Sequence, residues 1–325
     1  MRIAVIGGEG FVGSSLKVDL DKKGFKSTSF DKIFEKGHDA RLDVTDFSSL
    51  SILKGHEVII NLAAEHRDDV RPKSLYDDVN VKGAKNVCMA ASKFKINTII
   101  FTSSVAVYGF ASPGTDENGE IKYFNDYGRT KYLAEQVYIE WQKKNPITRN
   151  LVIVRPTVIF GKGNRGNVYN LLNQIASKKF IMVGNGENIK SMAYVENISA
   201  FLSHCISYKE GIHIFNYIDK PDFTMNKLVS LTRKTIFNKN NVGIRLPFFV
   251  GYLIGYLADF ISYIFRISLP VSSIRVKKFI STTQFSSSID SEDFSPPVTV
   301  EHGLKETLEY EFIQNNCDKP TYKTE

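Results

Sequence analysis

Several things are scarce in this 325-residue chain, and each scarcity excludes something. The three cysteines (Cys88, Cys205 and Cys317) are scattered and form no Cys-x-x-Cys pair. That excludes a disulfide framework and a four-cysteine zinc site, and it suits a reducing cytoplasm. The six histidines contain no His-Glu-x-x-His arrangement, so no metal is expected. No apolar run clearly exceeds the roughly 20 residues of a membrane span. Acid is nearly absent between Asn226 and Ile280, where Asp259 alone faces nine basic residues. That stretch carries +8 of a total of +7, which leaves the remaining chain close to neutral. A basic patch first suggests nucleic acid. This one brackets the most hydrophobic segment of the chain, which points instead to an anionic membrane surface and away from nucleic acid.

What is present is ordinary for a globular enzyme: 42% hydrophobic and 24% charged residues, enough for one large domain or two packed ones. The N-terminus is a short apolar run that turns glycine-rich, so it reads as a first strand rather than a signal peptide. Strand patterns at 2–7, 25–31, 57–63, 97–103 and 151–155 alternate with helical patterns at 11–23, 74–95 and 126–143. The expected fold is therefore α/β, a doubly wound parallel sheet over residues 1–160. Residues 161–325 are expected to form a smaller substrate lobe, and the polar tail from Gln314 is expected to fray.

Chemistry concentrates at a few places. Gly7, Gly10 and Gly13 follow the first strand and open the first helix, with Phe11 and Val12 between them. Glycines at this spacing permit a tight turn and close approach to a pyrophosphate, which the helix N-terminus then favours. Asp31 ends the second strand, where a carboxylate accepts the ribose hydroxyls and prefers NAD to NADP. Asp43 and Val44 are placed to meet the adenine, although Asp43 could equally cap Thr45. Tyr127 and Lys131 lie four apart on one helix face, after a strand that ends at Ser104. An ammonium beside a phenol favours the phenolate, and a neighbouring hydroxyl can hold the substrate oxygen.

Together with Asn61-Leu62-Ala63-Ala64, Tyr108-Gly109 and Arg155-Pro156, these motifs resemble the extended short-chain dehydrogenase/reductase family. Within it the chain is most similar to the nucleotide-sugar epimerase/dehydratase branch. The resemblance implies a Rossmann fold, a tightly held NAD and a homodimer through two Rossmann helices. Leu62, Ala63, Ala64, Asn80 and Pro156 would join the cofactor contacts. It also implies a redox-neutral inversion of a sugar through a 4-keto intermediate, with Ser104, Tyr127 and Lys131 catalytic. Departures narrow the branch. Val105-Ala106 stands where dehydratases carry Asp-Glu, and Lys190-Ser191 stands where soluble UDP-sugar epimerases carry Arg-Asp. The polar loop Glu65–Val70 would place His66 and Arg67 toward the substrate, although Arg67 could belong to a surface ion-pair network. Arg275, in the string RVKKF, is a further substrate candidate. These strings are similar to those of epimerases whose amino sugar rides on a diphospho-lipid, as in O-antigen synthesis. A soluble UDP-sugar epimerase and a 4-ketosugar reductase of the same family remain alternatives.

From Phe248 to Phe265, fourteen of eighteen residues are apolar or aromatic. Gly251, Gly255, Asp259, Ser262 and Arg266 recur at steps of four, four, three and four, forming one narrow stripe on a helix. Either that helix is buried in the second lobe, or its stripe packs on the protein and its apolar face enters a leaflet. The second reading implies peripheral attachment to the cytoplasmic face of the inner membrane.

Overall fold

A strand covered on both faces needs apolar side chains in both directions, and Ile3-Ala4-Val5-Ile6 supplies them. The computed structural model describes residues 1–32, 40–67, 70–267, 273–289, 293–316 and 320–322. Its main sheet contains β1 (Arg2–Ile6), β2 (Lys26–Asp31), β3 (Ala40–Arg41), β4 (Val58–Asn61), β5 (Thr98–Thr102) and β6 (Asn150–Pro156). Ile3 and Val5 pack with Leu16 and Leu20 of helix α1 (Phe11–Lys22). Ala4 and Ile6 face the opposite layer. That layer is built by α2 (Ser74–Tyr76), a π-helical turn at Asp77–Lys82, α3 (Gly83–Phe94) and α4 (Asp126–Lys143).

The chain then adds β7 (Val158–Phe160), α5 (Asn167–Ala176), β8 (Met182–Val183), β9 (Ile189–Tyr194), α6 (Val195–His204), β10 (Gly211–Tyr217), β11 (Asp219–Thr224), α7 (Met225–Phe237) and β12 (Arg245–Leu246). The strand order of the main sheet is β10-β6-β5-β4-β1-β2-β3, and every pairing in it is parallel. This is the doubly wound sheet expected, with one correction. The division at residue 160 is crossed twice, because β10 forms an edge of the first sheet and α6 packs with α1 through Ile198, Phe201 and Leu202. Ile212, Ile214 and Phe215 give β10 a strand pattern, but its place in the first sheet is set by its parallel pairing with the distant β6.

The rest of the second lobe surrounds a separate core. Leu172 and Ile175 of α5, Leu228 and Val229 of α7, and Leu304 and Leu308 of α10 (Val300–Phe312) meet Tyr194 there. A second correction concerns the tail. Residues 320–322 are docked: Tyr322 accepts from the Arg165 amide at 2.8 Å and donates its own to Gly163.

Helix α8 (Phe248–Phe265) precedes α9 (Ser273–Ile280). Gly251, Gly255 and Ala258 are its buried positions, and a Cβ on Gly251 would lie 2.4 Å from a Val183 methyl. Asp259 accepts from the Ser273 amide at 3.1 Å, so its carboxylate serves the start of α9. The small-residue stripe thus faces the protein, while only 17% of the helix is buried. Burial within the second lobe is therefore excluded.

One buried ion pair fastens α4 to the sheet. Arg155 donates to both Glu135 oxygens, at 2.9 and 2.6 Å, and to Tyr108 Oη at 2.7 Å. Side-chain exposures of 5% and 0% leave neither charge any water to fall back on. Removing one partner strands the other, at a typical cost of about 3–5 kcal/mol, whereas an apolar replacement of both is often neutral. Glu135→Gln is expected to lower Tm markedly, and Glu135→Leu combined with Arg155→Met to recover much of it. Additive losses in that double-mutant cycle would contradict the assignment.

Candidate active site

The glycine turn between β1 and α1 is too crowded for any side chain. A Cβ on Gly13 would sit 2.4 Å from the Gly7 carbonyl oxygen, and one on Gly7, at φ +79°, would sit 2.8 Å from the Ala63 nitrogen. The Gly7 and Gly8 amides donate to Phe30 O, which pins the turn to the end of β2. No side chain caps α1, so its first turn, Phe11 and Val12 included, presents backbone donors and a favourable dipole at a bare turn. Asp31 lies beside it and accepts from the Glu9 amide at 3.2 Å. Leu62, Ala63 and Ala64 follow β4 at the same carboxyl edge, and Pro156 ends β6 there. A glycine cradle, a bare helix start and a carboxylate at the ribose position fit a dinucleotide, and NAD in particular.

The Asp43 carboxylate accepts from the Thr45 amide at 2.9 Å and hydroxyl at 2.8 Å through one oxygen, while the helical turn that follows is capped by Asp46. Burial pushes the Asp43 pKa up, but those bonds and Lys32 outweigh it and hold the carboxyl low. Val44 is 5% exposed and packs in the Rossmann core. The Asn80 side chain is held within the protein. It accepts from the Glu65 amide at 2.9 Å, donates to Glu65 O at 3.0 Å and donates to Thr130 Oγ1 at 2.9 Å. The π-helical turn that carries it thus ties the loop after β4 to the helix bearing Tyr127.

Ser104, Tyr127 and Lys131 are brought together. Ser104 caps the turn Val105–Tyr108 by accepting from the Ala106 amide at 3.1 Å, and its hydroxyl is bonded to Tyr127. Burial pushes the Tyr127 hydroxyl up to about 12, with the Ser104 bond opposing it. Lys131 is 2% exposed, lies 4.4 Å over the Phe101 ring, and is pushed down to about 7 by burial, against the pull of Glu135. One helix face therefore reads Tyr127, Lys131, Glu135: acid–base group, cation and counter-ion.

His66 lies close enough to feel the Lys131 charge. Burial lowers its pKa, so the ring is neutral. Its Nδ1 donates to Ala64 O at 3.4 Å, which leaves Nε2 as an acceptor, buried and without a partner among the described residues. Arg67 takes the ion-pair alternative, meeting Glu65 Oε1 at 3.2 Å with its side chain half exposed. Lys190 donates to Ser281 O at 2.7 Å, and burial lowers it to about 8. The side chain of Arg275 lies outside the described residues.

Sequence reasoning missed Glu135, Arg155 as its partner, and the continuation through Tyr108 to Asn216 at 2.8 Å. A carboxylate at the second i+4 step after Tyr127 was the available signal. Cys88 and Cys205 are buried free thiols with raised pKa, Cys88 through burial foremost, which removes them as nucleophiles.

The profile of the NAD dependent epimerase/dehydratase family matches residues 3–216. The chain is 46% identical to an Escherichia coli O157:H7 protein, N-acetyl-alpha-D-glucosaminyl-diphospho-ditrans,octacis-undecaprenol 4-epimerase, covering 100% of this chain and 99% of that one. It is 25% identical to a Vibrio cholerae UDP-glucose 4-epimerase, over 97% and 96% of the two chains. Among solved structures, MoeE5 in complex with UDP-glucose and NAD superposes with a TM-score of 0.73 at 17% identity, covering 95% and 98%.

The buried lysine has a stability signature. Its folded pKa, about 7, lies below the unfolded value of about 10.4. Between these, the unfolded chain holds a proton that the folded chain has released, so the lysine's penalty is full below pH 7 and fades toward pH 10. Lys131→Met is expected to melt higher than the parent at pH 7, with the gap narrowing by pH 9. Melting curves at both pH values check this, and a lower Tm for the variant at pH 7 would refute it.

Proposed function

Since this chain belongs to the NAD dependent epimerase/dehydratase family, we propose that it inverts C4 of an N-acetylhexosamine carried on undecaprenyl diphosphate. The reaction interconverts GlcNAc and GalNAc for a surface polysaccharide such as O-antigen. The observation that carries this reading is the 46% identity to the lipid-linked 4-epimerase, which runs the full length of both chains.

NAD, when bound, supplies a reversible hydride acceptor at the sugar carbon. The chain's own residues do the rest. Ser104 donates to the sugar O4 and keeps it against Tyr127. Tyr127 takes the O4 proton as the 4-keto sugar forms and returns it as the alcohol re-forms. Lys131 in its charged form lowers the cost of the phenolate, and Glu135 pulls the lysine pKa up against its burial. His66 offers its Nε2 lone pair to an N–H or O–H of the bound sugar. Lys190 is the candidate for the diphosphate, and two copies pair through helices of the Rossmann lobe. A UDP-linked sugar suits the same chemistry, but it leaves α8 without a purpose.

That helix supports a peripheral position on the cytoplasmic face of the inner membrane. Phe249, Leu253, Tyr256, Phe260, Ile264 and Phe265 are all exposed along one helix, an apolar face of the kind that marks an interaction surface. Basic residues from Lys227 to Lys277 flank it, as anionic headgroups require. The protein should float with vesicles containing phosphatidylglycerol, and Phe260→Asp with Ile264→Asp should abolish flotation while preserving Tm. Equal flotation of parent and variant would remove α8 from the membrane contact.

GlcNAc-diphospho-undecaprenol deuterated at C4 tests the chemistry. The expected product is lipid-linked GalNAc that keeps its deuterium without added NADH. Tyr127→Phe should retain NAD and lose about 10²-fold or more in kcat. Deuterium lost to solvent, or parental turnover by the variant, would overturn the mechanism.

A further inference from the structure

We propose that Tyr322 is a positioning residue that clasps the NAD-binding turn to the second lobe, so that the C-terminal segment sets how long NAD stays bound. The inference rests on the reading above, in which one NAD serves many cycles and its loss stops the enzyme.

The clasp has two sides. On the first, the Tyr322 hydroxyl donates to Ser14 Oγ at 3.0 Å, and Ser14 Oγ donates to Gly10 O at 2.9 Å. Gly10 is the residue from which α1 starts, so this relay ends on the backbone of the phosphate-facing turn. The Tyr322 and Phe11 rings also pack, with centroids 5.8 Å apart. On the second side, the Tyr322 amide donates to Gly163 O and its carbonyl accepts from the Arg165 amide, each at 2.8 Å. Gly163 has φ +84°, and a Cβ there would lie 3.0 Å from Pro320 O, so the tail runs where a side chain would push it away.

The loop that receives the tail is itself fixed. Glu311 of α10 accepts from the Gly163 amide at 2.7 Å and pairs with Arg165 at 2.7 Å, with its own side chain 3% exposed. Gly161 brings the same loop against Phe11, where an added Cβ would sit 3.2 Å from the ring. Tyr322 thus joins a loop anchored on the second lobe to the first turn of α1. The turn keeps its own bonds to Phe30 without this contact, so the fold does not depend on the clasp. What the clasp restrains is the movement of α1 away from the loop, the movement through which a nucleotide would leave.

Two full-length variants test this. Tyr322→Phe removes only the hydroxyl relay, and Tyr322→Ala removes the ring as well. NAD loss is followed by dialysis, and turnover is measured with and without added NAD. Losing one neutral hydrogen bond should speed release about fivefold in Tyr322→Phe. Tyr322→Ala should release faster still. Saturating NAD should return both to parental kcat, with a raised KM for NAD. Release at the parental rate in Tyr322→Ala, or turnover that added NAD does not restore, would overturn the clasp. A parent protein that neither holds NAD nor epimerises would instead defeat the functional reading.

Discussion

The structure depends on one carboxylate. Glu135 has no exposure and faces two cations, pairing with the Arg155 guanidinium it bonds twice and raising the pKa of the Lys131 ammonium one helical turn away. Without it, burial would push the Lys131 pKa lower still, and a neutral amine stabilises no phenolate. The same carboxylate fixes the rotation of α4 against the sheet, because Arg155 belongs to β6. Position and charge of the catalytic pair therefore come from a single contact.

That contact continues outward. Arg155 reaches Tyr108, Tyr108 donates to Asn216 of β10, and the Asn216 amide donates to Glu117. Glu117 also accepts from the Ser288 amide, in the segment that follows α9. The hairpin of α8 and α9 is thus joined through residues 281–288 to the polar network behind the catalytic helix. Sheet edge, catalytic helix and the apolar hairpin form one connected body. Under the proposed membrane attachment of α8, this connection would hold the active site at a defined place relative to the bilayer surface.

Local signals made the Rossmann half legible. Gly7, Gly10 and Gly13 are dictated by backbone clearance, the runs at 57–63 and 97–103 by burial on two faces, and the Tyr127–Lys131 step by helix geometry. The stripe on α8 was equally readable, since residues three and four apart must share a face. What escaped depended on distant pairing. Nothing local says that residues 211–217 return to the first sheet, that Asn80 spends its hydrogen bonds on Glu65 and Thr130, or that Tyr322 reaches Ser14 across 308 positions. Asp43 shows the intermediate case, in which a cap looked available from sequence but the structure gives that cap to Asp46 and leaves Asp43 bonded to Thr45.

The central claim is that the sugar arrives on a lipid. The most direct measurement offers the NAD-loaded protein equimolar GlcNAc-diphospho-undecaprenol and UDP-GlcNAc in one reaction, then analyses the sugar on each carrier. The account predicts GalNAc on the lipid while the UDP-sugar remains unchanged. GalNAc on UDP alone would contradict it.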